Sequence, residues 1–346
     1  MNLEISYFDP TKMSHTATIL LIGRRGSGKS TVAADIMSHH AHISEGICIS
    51  PTDNMTNFWR THIPPLFIHH DYNASVTEEF LKHQHNKWMK YKTACKKAGV
   101  LAEEGRVDPA FVIFDDVTYD KTFFKSKLTR QLMMNGRHYS TFVLITSQYA
   151  MDVPSDIRGQ IDYVFLLKEP NRANRERLHA YFAGMFPSFH AFEEALRCCT
   201  ENREVMVIDN TKQSYNVNEC VFFYKATPNI PFKMGSEEYW RFGTEQYESE
   251  DEEGEENEDD ADAIARKYYD AGKSKKEQER SKQFRVHKVY PTEFKPHVAS
   301  DYALAYRSTT VPQPPPLALP PPVQTSVLAK YKKKSRNLKP RRKKQS

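Results

Sequence analysis

Cysteine is scarce in this chain, and its spacing excludes two kinds of small structural centre. The 346 residues contain five cysteines, at Cys48, Cys95, Cys198, Cys199 and Cys220. No two of them form a C-x-x-C pair, so neither a disulfide framework nor a zinc finger is indicated. Reduced thiols, as in cytosolic or nuclear proteins, are the simpler expectation.

Long apolar runs are missing as well. No stretch approaches the roughly 18 consecutive apolar residues that suggest a membrane-spanning helix. Residues 1–14 are polar and acidic, unlike a secretory signal peptide. The sequence therefore predicts a soluble protein without a membrane span.

Histidine is plentiful but lacks a metal-binding spacing. The chain has 14 histidines, including His39, His40 and His42 close together. The H-E-x-x-H pattern and the Cys/His finger patterns are absent. We expect these histidines to be solvated side chains at the surface rather than metal ligands.

Composition divides the chain into two parts. Residues 1–240 mix apolar and charged residues like a globular domain, whereas residues 241–346 are strongly biased. Within the second part, residues 245–262 hold twelve acidic side chains, residues 311–322 are rich in proline, and residues 330–346 are strongly basic. We predict one globular domain followed by a disordered, low-complexity extension.

Strand-like and helix-like segments alternate through the predicted domain. Apolar runs predict strands at 16–22, 46–50, 110–114, 141–145, 163–167, 204–208 and 219–225. Amphipathic patterns predict helices at 29–42, 75–98, 121–134 and 171–186, with an irregular segment at 53–71. Such alternation is typical of an α/β fold with a mostly parallel central sheet flanked by helices.

A phosphate-binding loop lies between the first predicted strand and helix. The segment 23–30 fits G-x-x-x-x-G-K-[ST]. Its glycines permit positive φ angles, and its successive N–H groups can surround a polyphosphate at a helix N-terminus. We expect Lys29 to contact the β- and γ-phosphates of ATP, and Ser30 to bind Mg²⁺. The predicted nucleotide-binding residues are Gly23, Arg24, Arg25, Gly26, Ser27, Gly28, Lys29, Ser30 and Thr31.

Two aspartates follow the apolar run at 110–114, in the form of a Walker B motif. Ligands of open α/β sheets bind at the carboxyl ends of the strands, where Asp115 and Asp116 should lie. We expect Asp115 to hold Mg²⁺, directly or through water. Asp116 stands where a general base would orient the attacking water, although many ATPases use glutamate there.

Three further polar residues are candidates for catalysis. Gln148 ends the strand-like run that begins at 141, and it could position water if that strand lies beside the phosphate loop. Phosphoryl transfer also requires a cation near the developing charge. Arg137 and Arg158 flank this strand in the sequence, and each is either an arginine finger offered to a neighbouring subunit or an ordinary surface ion pair.

Together these motifs resemble the genome-packaging ATPases of nucleo-cytoplasmic large DNA viruses, of the poxvirus type, in the FtsK–HerA superfamily of P-loop NTPases. The resemblance covers about residues 14–226 and rests on five segments in the same order: 23–30, Phe114-Asp115-Asp116, Asn135-Gly136-Arg137-His138, Thr146-Ser147-Gln148, and 154–162.

The resemblance implies a RecA/FtsK-like fold and an ATP-driven homo-oligomeric ring that moves double-stranded DNA into a preformed capsid. Capsid or virion assembly proteins would be its partners, and viral assembly sites in the host cytoplasm or nucleus its location. It further implies that Gln148 is the sensor, that Arg137 is a finger candidate and that Asp116 is the second Walker B acid.

Two other functions remain open on the residues themselves. A P-loop nucleotide or nucleoside kinase would need an arginine-rich lid, which residues 171–177 could provide. A nucleotide-dependent scaffold would bind ATP without hydrolysing it. In the extension, the basic tail is expected either to hold DNA or to serve as a nuclear localisation signal.

Overall fold

One ten-stranded sheet forms the centre of the described chain. The computed structural model describes residues 2–103, 107–245 and 285–289. The strands of these residues are β1 (Asn2–Tyr7), β2 (Thr18–Ile22), β3 (Glu45–Ile49), β4 (Ile68–His69), β5 (Ala110–Phe114), β6 (Thr141–Ser147), β7 (Tyr163–Leu166), β8 (Val205–Asp209), β9 (Val221–Tyr224) and β10 (Arg285–Val289). The helices are α1 (Lys29–His39), α2 (Asp53–Thr56), α3 (Ala74–Lys97), α4 (Lys127–Asn135), α5 (Ser155–Arg158), α6 (Arg172–Phe182), α7 (Phe189–Cys199), α8 (Val217–Cys220) and α9 (Glu237–Glu245).

The strand order is β10-β1-β9-β8-β7-β2-β6-β5-β3-β4. Strand β8 runs antiparallel to its neighbours β7 and β9, and every other adjacent pair of these strands is parallel. The predicted α/β fold with a mostly parallel sheet is therefore confirmed.

Helices cover both faces of the sheet. Ile19 and Leu21 of β2 lie in an apolar layer with Val32 of α1. Leu20, between them in the sequence, lies in the opposite layer with Leu132 of α4. Because successive side chains of a strand point to opposite faces, a strand buried on both sides reads as a continuous apolar run, which is the pattern that predicted β2.

Two strands at one end of the sheet were not predicted. In β1, Leu3 and Ile5 are buried, while Glu4 between them is exposed. This alternation is the signal of a half-buried strand, but it is short and lies in a segment that reads as polar. Strand β10 pairs with β1 in parallel over five residues, from Asn2 with Arg285 to Ser6 with Val289.

The predicted helix at 121–134 is wrong in its first half. Phe123 begins a single 3-10 turn, and α4 starts only at Lys127. Phe123 is fully buried, with its ring centroid 4.8 Å from that of Phe114 in β5. Tertiary packing of this aromatic ring therefore overrides the local helical pattern.

Elsewhere the predicted elements are present with shifted ends. The predicted helix at 29–42 ends at His39, and the one at 171–186 ends at Phe182 and is followed by α7, which was not predicted. Asn73 caps α3 by accepting the N–H of Ser75, so this helix begins at Ala74, one residue before its predicted start.

The expectation of solvated histidines is wrong at the end of α1. His39 and His40 are 9% and 1% exposed, because the end of this helix packs against the sheet. The ring centroid of His40 lies 4.5 Å from that of Phe142 in β6. All five cysteines are free, and four of them are buried.

The predicted extension falls mostly outside the described residues. This applies to the proline-rich segment 311–322, to the basic tail 330–346, and to the acidic segment 245–262 apart from its first residue, which ends α9. The domain boundary at 240 stays a prediction. Across residues 2–103, 107–245 and 285–289, none of the helices has the length and apolar character that crossing a bilayer requires.

Candidate nucleotide site

The phosphate loop joins β2 to α1 at the carboxyl edge of the sheet. Gly26 and Gly28 have φ angles of 73° and 96°. Residues with a side chain rarely adopt this backbone conformation, which explains why glycine stands at both positions. The hydroxyl of Ser27 donates to the Arg24 carbonyl at 2.6 Å and closes the loop. The Gly23 N–H donates to the Ser147 carbonyl at 3.1 Å, which ties the loop to β6.

Lys29, the first residue of α1, points at the second Walker B aspartate. Its Nζ lies 3.4 Å from Oδ1 of Asp116 and 3.5 Å from the Arg24 carbonyl, and its side chain is only 5% exposed. Asp116 has a left-handed backbone, with φ 52° and ψ 30°. Asparagine and aspartate tolerate this conformation better than most residues do.

Asp115 is held in a buried hydrogen-bond network. Its Oδ1 accepts the Thr146 hydroxyl at 2.8 Å, and its Oδ2 accepts the Trp59 indole N–H at 2.9 Å and the Ser50 hydroxyl at 3.4 Å. Burial raises the pKa of Asp115, and the bonds from Trp59 and Thr146 oppose that rise. The donors therefore come from β6, from the end of β3 and from the segment that follows α2, and together they fix the carboxylate.

Thr146 connects the two aspartates. Its hydroxyl donates to Asp115 and accepts the backbone N–H of Asp116 at 2.8 Å. This contact requires β6 to lie beside β5, and β6 lies between β5 and β2. The strand arrangement on which the role of Gln148 depended is therefore present, while Thr146 itself is bonded to the Walker B residues.

Trp59 was missed by the sequence reasoning. It lies in the segment predicted to be irregular and is fully buried. Its backbone N–H donates to Oδ1 of Asp53 at 2.6 Å, and Asp53 is itself fully buried at the start of α2. No local sequence pattern predicts that Trp59 donates to Asp115, because the two residues are 56 positions apart in the sequence.

Gln148 follows β6 at the same edge of the sheet. It is half-buried and lines a cavity of about 20 Å³ with Glu169 and with Asn174 and Arg177 of α6. The helix considered as a kinase lid thus lies beside the candidate sensor residue.

The two candidate finger arginines contact residues of their own chain outside the phosphate loop. Arg137 forms an ion pair with the buried Asp162, whose Oδ2 accepts the N–H of Thr18 at 2.9 Å. Since Thr18 begins β2, this pair lies at the amino edge of the sheet, opposite the phosphate loop. The Arg137 side chain is nevertheless 62% exposed. Arg158 stacks on the Tyr181 ring at 3.8 Å and donates to the Val153 carbonyl.

A larger cavity, of about 420 Å³, opens beside the first turns of α1 and was not predicted. Its walls come from α1, from the end of α2 and the turns after it, and from the segment after β9: Thr31, Ala34, Asp35, Thr56, Asn57, Phe58, Thr61, His62, Thr227, Asn229, Ile230 and Pro231. Burial raises the pKa of Asp35 to about 7, although the Tyr224 hydroxyl donates to this carboxylate. The cavity has the volume of a small-molecule site and a mixed polar and apolar lining.

These features define a P-loop NTPase. A glycine-rich loop follows β2, paired aspartates follow β5, and β6 separates these two strands in a parallel sheet.

Comparison with known proteins places the chain among proteins of large DNA viruses. It is 37% identical to the uncharacterized protein L437 of Acanthamoeba polyphaga mimivirus over 238 residues, which are 68% of this chain and 81% of that protein. It is 31% identical to the uncharacterized protein 075L of Invertebrate iridescent virus 6 over 66% of this chain and 85% of that protein. The chain belongs to the family of these viral proteins, and the family predicted from its motifs, in nucleo-cytoplasmic large DNA viruses, is confirmed.

A solved structure with a similar fold is the genome packaging NTPase B204 of Sulfolobus turreted icosahedral virus 2 in complex with AMPPCP. It shares 15% sequence identity over 62% of this chain and 100% of that chain, with a TM-score of 0.40. No protein-family model matches the chain.

Proposed function

We propose that this protein is an ATP-hydrolysing motor that moves double-stranded DNA into viral capsids. The observation that carries the hydrolytic part is the 3.4 Å approach of Lys29 to Asp116, which joins the phosphate loop to the carboxylates after β5. The packaging part is supported by the motif resemblance and by membership of a family from large DNA viruses.

ATP would bind with its phosphates in the loop and its base in the larger cavity. The cavity begins at Thr31, two residues after Lys29, so a nucleotide that spans both sites follows the first turns of α1. The Phe58 ring offers an apolar face to a base, and the polar lining offers groups for base and ribose.

Mg²⁺ would be held by Ser30 and Asp115. Hydroxyl and carboxylate oxygens are the donors that this hard cation prefers, and it commonly keeps several of its waters. Both oxygens of Asp115 already accept hydrogen bonds, which favours contact through a water. Bound there, the ion would neutralise charge on the phosphates.

Nucleotide binding would exchange the partner of Lys29. The amine leaves Asp116 for the phosphates, and the freed carboxylate then accepts a hydrogen bond from the attacking water. Gln148, at the end of the adjacent strand, would orient the same water. The α1 N-terminus and the loop N–H groups stabilise the charge that develops on the phosphate oxygens.

A ring of subunits would complete the site with a cation from a neighbour. Arg137 lies at the edge of the sheet opposite its own phosphate loop and remains largely exposed. A head-to-tail contact between subunits brings one subunit's amino edge towards the next subunit's carboxyl edge, which is the type of interface that closes into rings. The alternative finger, Arg158, is partly occupied by its stacking on Tyr181.

Mixing inactive variants tests the contribution in trans. Arg137→Ala and Lys29→Ala subunits are each expected to lack hydrolysis, and mixing them should restore part of it. Restoration follows because an interface can then combine the intact Lys29 of one subunit with the intact Arg137 of the other. The same mixture made with Arg158→Ala is the matched comparison. Restoration by Arg158→Ala alone would reassign the finger, and thermal unfolding checks that Arg137→Ala, which leaves Asp162 unpaired, is folded.

The motor proposal is tested by measuring ATP hydrolysis with and without duplex DNA. We expect DNA to stimulate hydrolysis, and we expect the stimulation to weaken at higher salt because phosphate contacts release counterions. The candidate DNA contacts are the basic tail 330–346 and the lysines of α3. The candidate protein partners are capsid or virion proteins at viral assembly sites.

The same assay separates the alternatives. A kinase is favoured by the position of Arg177 and Asn174 beside Gln148, and it would transfer phosphate to an added nucleoside or nucleotide. A scaffold would bind ATP without turnover. Phosphate transfer to a nucleoside, or ATP binding without turnover, would overturn the motor proposal if DNA does not stimulate hydrolysis.

A further inference from the structure

Three histidines meet at the opposite end of α1 from the phosphate loop. They are His15, from the turn before β2, and His40 and His42, which directly follow α1. One ring nitrogen from each lies within 4.8 Å of those of the other two, and Nε2 of His42 lies 3.1 Å from Nδ1 of His15. Among the residues that the structure describes, this is the one cluster of three or more potential metal ligands from histidine, cysteine and acidic side chains.

His40 is the unusual member of this trio. It is 1% exposed, and at most one of its two ring nitrogens has a partner among the described residues, the Pro10 carbonyl. One face of the ring packs against Phe142. Leaving a buried polar group without a partner costs on the order of 1–3 kcal/mol, so a missing ligand is a physical explanation for this arrangement.

The trio lies close to the spacing of a tetrahedral metal site. With zinc–nitrogen bonds of 2.0–2.1 Å, two imidazole nitrogens on one zinc ion lie about 3.3 Å apart. The pair formed by His15 and His42 is already near that separation. A small movement of His15 and His42, which are half-buried and exposed, would bring all three nitrogens to that separation.

We propose that His15, His40 and His42 bind a divalent transition-metal ion of the zinc type, with the fourth position open to water. Three imidazoles without a carboxylate suit such an ion, whereas Mg²⁺ prefers oxygen ligands, so this site is chemically distinct from the nucleotide site. The eleven residues of α1 place it about 16 Å from the phosphate loop.

The protonation of the trio agrees with this use. Burial lowers the pKa of His40 to about 3 and that of His42 to about 4, with the neighbouring histidines acting in the same direction. Burial also lowers the pKa of His15. Neutral imidazole is the form that ligates metals.

The bound ion would fasten the end of α1 to the turn that leads into β2. The phosphate loop connects β2 to α1, so the metal site would stabilise both flanks of the loop without taking part in ATP hydrolysis. A ligand at free concentration c that binds only the folded chain stabilises it by RT ln(1 + c/Kd), so the melting temperature rises with ligand concentration.

Metal titration of the full chain tests the proposal. The protein is first stripped of metal with a chelator, and no nucleotide is added. We expect one equivalent of Co²⁺ to give the visible absorption of tetrahedral cobalt, and one equivalent of Zn²⁺ to displace it and raise Tm. His15→Ala and His42→Ala should each weaken Zn²⁺ binding by at least about tenfold, since even residues that only orient metal ligands contribute 10–100-fold. Both positions are accessible enough for these variants to fold, whereas His40→Ala removes a buried ring.

Two further variants serve as controls. His190→Ala removes an exposed histidine at the start of α7 and should bind Zn²⁺ like the unmodified chain. Asp116→Asn should do the same, which separates this site from the nucleotide site. Absence of the tetrahedral cobalt spectrum, or equal Zn²⁺ affinity in His15→Ala and His190→Ala, would overturn the proposal and leave a hydrogen-bonded imidazole pair beside a packed one. Neither result would bear on ATP hydrolysis.

Discussion

Replacing Lys29 with alanine is expected to abolish ATP hydrolysis, with a fall in kcat on the order of 10²–10³, the range found when a preorganised transition-state contact is removed. Lys29 is almost fully buried at the start of α1, and its amine is the cation that the loop directs inward. Without it, the phosphates lose a point charge in a site that is screened from water. Steady-state phosphate release, measured at saturating ATP, checks this result.

Lys12→Ala provides the matched control. This lysine is 82% exposed and pairs with Asp9, three residues away. Its removal should leave turnover unchanged. If Lys29→Ala hydrolyses ATP at the rate of Lys12→Ala, the phosphate loop takes no part in the reaction.

Replacing Asp116 with asparagine is expected to stop turnover while ATP binding is retained. An amide cannot accept the proton of the attacking water, and loss of a general base typically costs 10²–10⁴ in rate, so kcat should fall by about that factor. Asparagine also tolerates the left-handed backbone of this position, so the local fold should survive. Binding of a fluorescent ATP analogue and single-turnover hydrolysis separate the two effects.

The control for this variant lies at the other end of the same strand. Asp108 is exposed and precedes β5 by two residues, and Asp108→Asn should have normal kcat. Turnover by Asp116→Asn at the rate of Asp108→Asn would mean that another group activates the water. Weak nucleotide binding in Asp116→Asn would mean that Asp116 supports the loop rather than the reaction.

The parts of the site that could be predicted are those encoded by contiguous residues. Gly26, Gly28 and Lys29 adopt the conformations that their types require, and the apolar strand β5 delivers Asp115 and Asp116 to the edge where the loop lies. Each of these inferences needs only a short segment and the rule that parallel strands end together.

The remaining features depend on contacts that no short segment encodes. Trp59 becomes a partner of Asp115 only because Asp53 fixes its backbone and β3 lies beside β5. The histidine trio likewise joins residues on either side of β2 and α1. Sequence motifs are recognised by the spacing of their residues along the chain. Neither the partners of Asp115 nor the three histidines have a spacing that matches a known motif.

Arg137 lies between these two cases. Its place just before β6 indicates the amino edge of the sheet, and the structure puts it there. Its partner Asp162 follows 25 residues later, and the position of β2 between β6 and β7 brings that carboxylate within reach.

The order of the strands has a consequence for how the chain is built during synthesis. Strands β2 to β6, which frame the nucleotide site, form an unbroken set of neighbours that is complete once residue 147 has been made. Strand β1 emerges first, yet its neighbours are β9 and β10, which end at residues 224 and 289. During synthesis the strands around the nucleotide site can therefore pair early, whereas β1 gains its first partner only after β9 has been made.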